Sequence, residues 1–328
     1  MKLPELKIGN LVAKVPIIQG GMAVRISTAR LAAAVAENGG IGIIAASGMS
    51  FGELRNEIHL ARSLTKGIIG VNVMVAAREF KALVKTAIDE SIDLVVAGAG
   101  FSRDVFEIGK ESNTPIVTMA SSVKAAKLSE KLGAAAVVVE GKEAGGHLGT
   151  TNHSIKDLIA EIKNAVHIPV IGAGGIINGQ DIVETLNLGA DGVQMGTRFA
   201  MSKESNAASS LKEFYLKAKK DDVVLINSPV GLPGRALKNP FVERINEGTI
   251  SPKVCKACLK HCSQNFCIIS ALSKAQQGDI ETGLVFTGEY IYKIKEILSV
   301  KEIFNKLLDE IESINASSCL AAKISTEI

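Results

Sequence analysis

The feature that most constrains this chain is a rhythm. Eight short apolar runs recur along it, at Val15–Gln19, Ile41–Ala45, Ile69–Met74, Leu94–Ala97, Ile116–Met119, Ala136–Val139, Val170–Ala173 and Gly192–Met195. Between them lie segments with apolar residues near helical spacing: Leu31–Ala36, Phe51–Leu64, Phe80–Ile88, Asp104–Lys110, Val123–Leu132, Ile155–Ala165 and Gln180–Leu188. A strand that is apolar at every position, rather than at alternate ones, is buried on both faces, as in a parallel sheet covered by helices. Eight such βα units in roughly 200 residues predict a closed (β/α)8 barrel. The rival is an open, doubly wound sheet. Its usual mark is a first strand running into G-x-G-x-x-G, and Gly20-Gly21-Met22 does not supply it.

The rhythm stops near Ser202. Residues 203–290 contain Pro229, Pro233, Pro240 and Pro252, and read as an excursion between the last strand and its closing helix. A helical pattern resumes over Lys301–Ser313, with Ile303, Phe304, Leu307, Leu308 and Ile311 on one face. The expected organisation is a barrel over residues 1–202, a smaller lid over 203–290, and a segment 291–328 that returns to the barrel wall. A chain of 328 residues, 47% of them hydrophobic, can bury a core of that size. A net charge of +3 with no Trp gives no basic, aromatic-laced stripe for nucleic acid. No apolar run is long enough to cross a membrane, and Met1-Lys2-Leu3-Pro4-Glu5 lacks a signal core. The expectation is a cytoplasmic protein acting on a small molecule, without nucleic-acid or membrane partners. A homodimer stays open.

The chemistry is expected after the sixth run. Val137-Val138-Val139 leads into Glu140-Gly141-Lys142-Glu143-Ala144-Gly145-Gly146-His147, a glycine-rich loop with two carboxylates and an imidazole. Loops at the C-terminal ends of strands are where barrels place reactive groups. His147 is the candidate acid/base, since imidazole exchanges protons near neutral pH. Glu140 could bond a cofactor, and Glu143 could orient His147. His59, His153 and His167 read as surface residues. Gly174-Gly175-Ile176 and Gly196-Thr197-Arg198 follow the seventh and eighth strands, where barrels often bind phosphate through backbone N–H groups. Thr197 could add a hydroxyl and Arg198 a charge. The anion could be a flavin, sugar or nucleotide phosphate.

With those loops in place, the sequence resembles the nitronate monooxygenase family and the related FMN-dependent enoyl-acyl-carrier-protein reductases. The resemblance rests on Ile17-Ile18-Gln19-Gly20-Gly21-Met22-Ala23, Gly70-Val71-Asn72, the Glu140–His147 stretch, Ala173-Gly174-Gly175-Ile176 and Gln194-Met195-Gly196-Thr197-Arg198-Phe199. It implies a TIM-type barrel with a lid and FMN as cofactor. Gly174, Gly175, Gly196 and Thr197 would hold the FMN phosphate. Gly21, Met22, Ala23, Asn72, Glu140 and Gly146 would lie near the flavin, and His147 would be catalytic. A nitronate monooxygenase oxidises nitronates with dioxygen, whereas an enoyl reductase draws on NADH or NADPH.

Two features depart from the family pattern. In Gly283–Tyr290, Glu289 stands where the family commonly has Gln, and the second Gly is missing. The other departure is the cluster Cys255-x-x-Cys258-x-x-x-Cys262-x-x-x-x-Cys267, which carries four of the five cysteines. It could hold zinc or an iron–sulfur cluster, or be a set of reduced thiols. Before it, Ser228–Arg235 reads as a turn-rich linker whose Arg235 could face a bound anion.

Overall fold

The computed structural model describes residues 3–149, 152–250, 255 and 257–326, with side chains as far as residue 317. Met1, Lys2 and Pro252, used in the sequence reading, lie outside these. The chain opens with a hairpin, β1 (Leu6–Ile8) and β2 (Leu11–Ala13). The barrel strands follow: β3 (Ile17–Gln19), β4 (Gly42–Ala45), β5 (Ile69–Met74), β6 (Leu94–Gly98), β7 (Ile116–Ala120) and β8 (Ala136–Glu140). After a short strand, β9 (Gly146–His147), the barrel is completed by β10 (Val170–Ala173) and β11 (Gly192–Met195). All eight barrel strands pair in parallel, in the order β3-β11-β10-β8-β7-β6-β5-β4. A parallel bridge between Ile18 and Ile41 joins β3 to β4 and closes the ring. The expected (β/α)8 barrel is the observed fold.

Strand parity then assigns every side chain. Successive residues point to opposite faces. Val137 and Val139 pack outward with the helices, while Ala136 and Val138 face the barrel interior. Ile69, Val71 and Val73 likewise pack outward. The same alternation turns Glu140, the next residue of the Ala136–Val138 set, and Asn72 into the barrel mouth. The interior is filled by Ile18, Ile43, Leu94, Val96, Val117 and Ile171, and Leu6 and Ile8 of the hairpin close its bottom. The hairpin was not expected, because strands of three residues leave little periodicity to read.

The outer helices are α1 (Ala29–Glu37), α2 (Phe51–Leu64), α3 (Phe80–Asp89), α4 (Asp104–Ser112), α5 (Val123–Leu132), α6 (Ile155–Lys163) and α7 (Gly179–Asn187). A single turn, α8 (Thr197–Ala200), follows β11. The excursion contains α9 (Ser209–Lys217), β12 (Val223–Asn227), β13 (Pro233–Leu237), α10 (Pro240–Asn246) and α11 (Ile268–Gln276). It has an apolar core of its own, with Phe241, Phe266, Leu272 and Leu284, seated on Met74 at the end of β5 and on Ala77 just beyond it. The last helix, α12, runs Val300–Thr326, well past the expected Ser313. Phe304, Leu307 and Ile311 bury its inner face in the barrel wall, with the Phe304 ring 5.9 Å from that of Phe199.

Candidate active site

One cavity opens at the C-terminal ends of the barrel strands. All eleven of the expected catalytic and cofactor residues line it: Gly21, Met22 and Ala23 after β3, Asn72 on β5, Glu140 on β8, Gly146 and His147 on β9, Gly174 and Gly175 after β10, and Gly196 and Thr197 after β11. The excursion closes the other side with Leu284, Phe286, Thr287, Gly288 and Tyr290.

The two glycine turns have a geometry that other residues would spoil. Gly174 and Gly175 hold φ of +109° and +73°, a region that side chains disfavour. A Cβ on Gly175 would lie 2.9 Å from the Tyr290 ring, and one on Gly174 3.0 Å from the Ala144 nitrogen. Among the described residues, the N–H groups of Gly175, Ile176, Gly196 and Thr197 are not spent on other protein groups. Two adjacent sets of main-chain donors facing one cavity suit an anion. The Thr197 hydroxyl accepts from the Gly288 N–H at 2.9 Å, which ties this turn to the excursion. Arg198 does not take the role expected of it. It is buried behind the turn, and its Nη2 donates to the Glu296 carbonyl at 2.7 Å.

The turn after β3 is fixed from below. Buried Gln19 accepts from the Ile43 N–H at 3.1 Å and donates to the Ser27 hydroxyl at 2.9 Å. Ser27 Oγ in turn accepts from the Met22 N–H at 2.9 Å. Gly21 packs so closely on Asn72 that a Cβ there would lie 2.3 Å from the Asn72 Cβ.

The reactive loop is half barrel, half excursion. Gly146 and His147 pair antiparallel with Arg235 and Gly234 of β13, in a three-stranded sheet ordered β12-β13-β9. His147 Nε2 lies 2.8 Å from the Ser228 hydroxyl, and its ring meets Phe286 edge-on at 5.1 Å. Burial pushes its pKa down to about 4, so the imidazole is neutral near pH 7. Burial acts oppositely on Glu140, raising its carboxyl to about 8, so that it keeps its proton there. The cavity thus presents two uncharged but polar groups.

Glu143 does not orient His147. It is buried, and its Oε2 accepts from the Ile155 N–H at the start of α6, at 3.2 Å, where the helix dipole favours negative charge. Arg235 does not face the cavity either. Its guanidinium donates to the carbonyls of Lys142 and Ala144, and pairs with Glu289 at 3.4 Å. Glu289, the departure from the family pattern, is therefore part of a clamp on the reactive loop, and its N–H also donates to the Glu143 carbonyl at 3.1 Å. Sequence reasoning missed Ser228 as a partner of His147. The two are 81 residues apart, and nothing local to either marks the pair.

The four cysteines lie elsewhere, as free thiols around a second cavity. Among the described residues, no three His, Cys, Asp or Glu side chains are grouped as a metal ion would need. His59, His153 and His167 are exposed, as expected. No helix of the described residues is long and apolar enough to cross a membrane.

Comparison with known proteins agrees with this geometry. The model of the nitronate monooxygenase family matches residues 5–310. A probable nitronate monooxygenase of Staphylococcus aureus (strain JH9) is 32% identical over 276 residues, covering 71% of this chain and 78% of that one. The structure of FabK from Thermotoga maritima superposes with a TM-score of 0.84 at 34% identity, covering 96% of each chain. Nitroalkane oxidase from Streptomyces ansochromogenes gives a TM-score of 0.80 at 25% identity, over 93% of this chain and 98% of that one. By sequence over most of its length and by fold over nearly all of it, the chain belongs to the nitronate monooxygenase family.

Proposed function

We propose that the protein is an FMN-dependent oxidoreductase that oxidises nitronates with dioxygen. The observation that carries the reading is the cavity itself: two turns with unspent N–H groups on one side, and a neutral imidazole beside a protonated carboxyl on the other. The residues fit the cofactor. Gly175, Ile176, Gly196 and Thr197 would hold its phosphate, and a Cβ in the first turn would crowd Tyr290. Asn72 and Glu140 would hydrogen-bond the ring system. When bound, the flavin would supply the redox chemistry that couples oxidation of the substrate to dioxygen.

The chain's own part is positioning and proton handling. A neutral His147, hydrogen-bonded to Ser228 through Nε2, stands in the cavity wall as a polar but uncharged group. An imidazole whose conjugate acid lies near 4 is a weak base. It suits an already ionised nitronate, which it orients, better than a neutral nitroalkane, whose C–H proton it would have to remove. Protonated Glu140 adds a donor without adding a negative charge near an anionic substrate.

The likeness to FabK over 96% of both chains supports a second reading, NAD(P)H-dependent reduction of an enoyl thioester. One experiment separates the two. The purified protein should be yellow. Oxygen uptake on adding a nitronate supports the first reading; anaerobic bleaching by NADH, reversed by a crotonyl thioester, supports the second. A colourless protein that takes up no FMN would remove both. The same reading includes a small-molecule substrate and a cytoplasmic setting.

A further inference from the structure

The loop Cys255–Cys267, described but for residue 256, has no part in the cavity above. It has almost no regular secondary structure, but it is fastened to the barrel. Leu259 bridges Ala77, the Arg78 N–H donates to the Cys258 carbonyl at 2.9 Å, and the Lys260 N–H donates to the Ala76 carbonyl at 2.9 Å. Lys260 Nζ reaches the Val75 carbonyl at 2.7 Å. Cys255, Cys258, Cys262 and Cys267 all border one cavity of about 560 Å³.

The backbone is shaped around the sulfurs. The Ala257 N–H points at Cys255 Sγ and the Gln264 N–H at Cys262 Sγ, each at 3.4 Å and each from two residues further along. Both donors are left-handed non-glycine residues, with φ of +49° and +59°. Such a conformation is disfavoured, and it persists only where the surroundings require it. Here it occurs twice, in the same place relative to a cysteine. A neutral thiol is a weak acceptor, whereas a thiolate bound to metal is a good one. Cys267 occupies the N-cap of the nine-residue helix α11, whose dipole favours a negative sulfur. Among the described residues of the cavity wall, the charged side chains are Arg78 and Lys260, with His261 beside them and no carboxylate. The wall is built for an anionic, thiolate-ligated group.

We propose that this loop binds an iron–sulfur cluster, with Cys255, Cys258, Cys262 and Cys267 each ligating one iron. A single zinc ion would draw three or four ligands to one point, and among the described residues no three are so grouped. Around a four-iron cube each thiolate binds its own iron, so the sulfurs ring a space rather than meet. Disulfides would likewise have paired the cysteines, which are free. Ile268 lines both this cavity and the one at the barrel mouth. The two cavities therefore share a wall residue.

The test is the iron and acid-labile sulfide content of the full chain. It would be purified without oxygen, reconstituted with ferrous iron and sulfide, and examined by Mössbauer spectroscopy. The expected result is about four iron and four sulfide per chain. Cys262→Ser and Cys258→Ser should each lose most of it, with an unchanged far-ultraviolet circular dichroism spectrum. Cys319→Ser, outside the loop, should keep it. One zinc per chain without sulfide, or a metal-free chain with all four loop thiols open to alkylation, would overturn the proposal. Iron and sulfide are read whether or not the protein is yellow, so failure of the flavin reading would not affect this result.

Discussion

The two walls of the cavity are made differently. The barrel wall is mostly main chain: Gly21, Gly174, Gly175 and Gly196 bring backbone close to the cavity, and strand parity turns Asn72 and Glu140 inward. On the excursion side the contacts are mostly side chain: Phe286 lines the cavity against the His147 ring, while behind it Ser228 bonds His147 and Arg235 holds the carbonyls of Lys142 and Ala144. The reactive loop lies along the seam, with its start on β8 and its end paired to β13. The difference suggests a division of labour: the barrel grips the cofactor, while the excursion aims the histidine. Mutations on either side should then fail in different ways.

The largest effect should come from the barrel wall. Gly175→Asp puts a side chain where even a Cβ is too close to Tyr290, at a φ of +73°. It also sets a carboxylate against the expected phosphate. The variant should purify without flavin, as read by its absorbance, while keeping its circular dichroism spectrum. A yellow Gly175→Asp protein would mean that the anion is held elsewhere. Next comes the seam. His147→Ala should keep its flavin but turn over roughly 10²–10⁴-fold more slowly, the range for a lost proton-handling group. Steady-state rates at saturating substrate measure it. Full activity would move the chemistry to another residue.

A smaller effect should follow from the excursion alone. Arg235→Met removes the clamp but keeps most of the apolar stem. Two loop carbonyls lose their donor, a cost of about 1–3 kcal/mol in stability, and the histidine drifts from its place. Turnover should fall by roughly 10–100-fold, since misplacement of about an ångström can cost that much, with flavin content unchanged. Loss of flavin in this variant would erase the distinction between the two walls.

The same division explains what could be read in the sequence. Parallel strands buried on both faces are apolar without interruption, so all eight were visible, and with them the ends at which Asn72, Glu140 and the glycine turns sit. The excursion buries its residues through turns and short elements with no period, and its contacts join distant positions. His147 and Ser228 are 81 residues apart, and Arg235 reaches back 93 residues to Lys142. Arg198 and Glu143 were misplaced for a related reason. A charged residue next to a glycine turn looks the same in sequence whether it serves a ligand or, like these two, spends its hydrogen bonds on the chain's own backbone.

The smallest effect tests whether Glu140 is as enclosed as its place at the end of β8 implies. Burial raises its pKa from 4.5 to about 8, whereas that of His147 falls from 6.5 to about 4. Between pH 4.5 and 8 the folded chain holds a proton on Glu140 that the unfolded chain has released. That stability is complete below 4.5 and is lost as the pH rises through 8. For His147 the unfolded chain binds the extra proton between 4 and 6.5, so stability rises with pH in that interval. The two slopes oppose each other up to about 6.5, and only the Glu140 slope remains from there to 8. The thermal midpoint of the flavin-free protein should therefore fall over that upper interval by a few degrees. Glu140→Gln keeps the shape without the titration, so its midpoint should stay level where the parent's declines. Equal slopes in the two proteins would show that the carboxyl is solvated and ionised, and that the barrel wall carries a charge in the cavity after all.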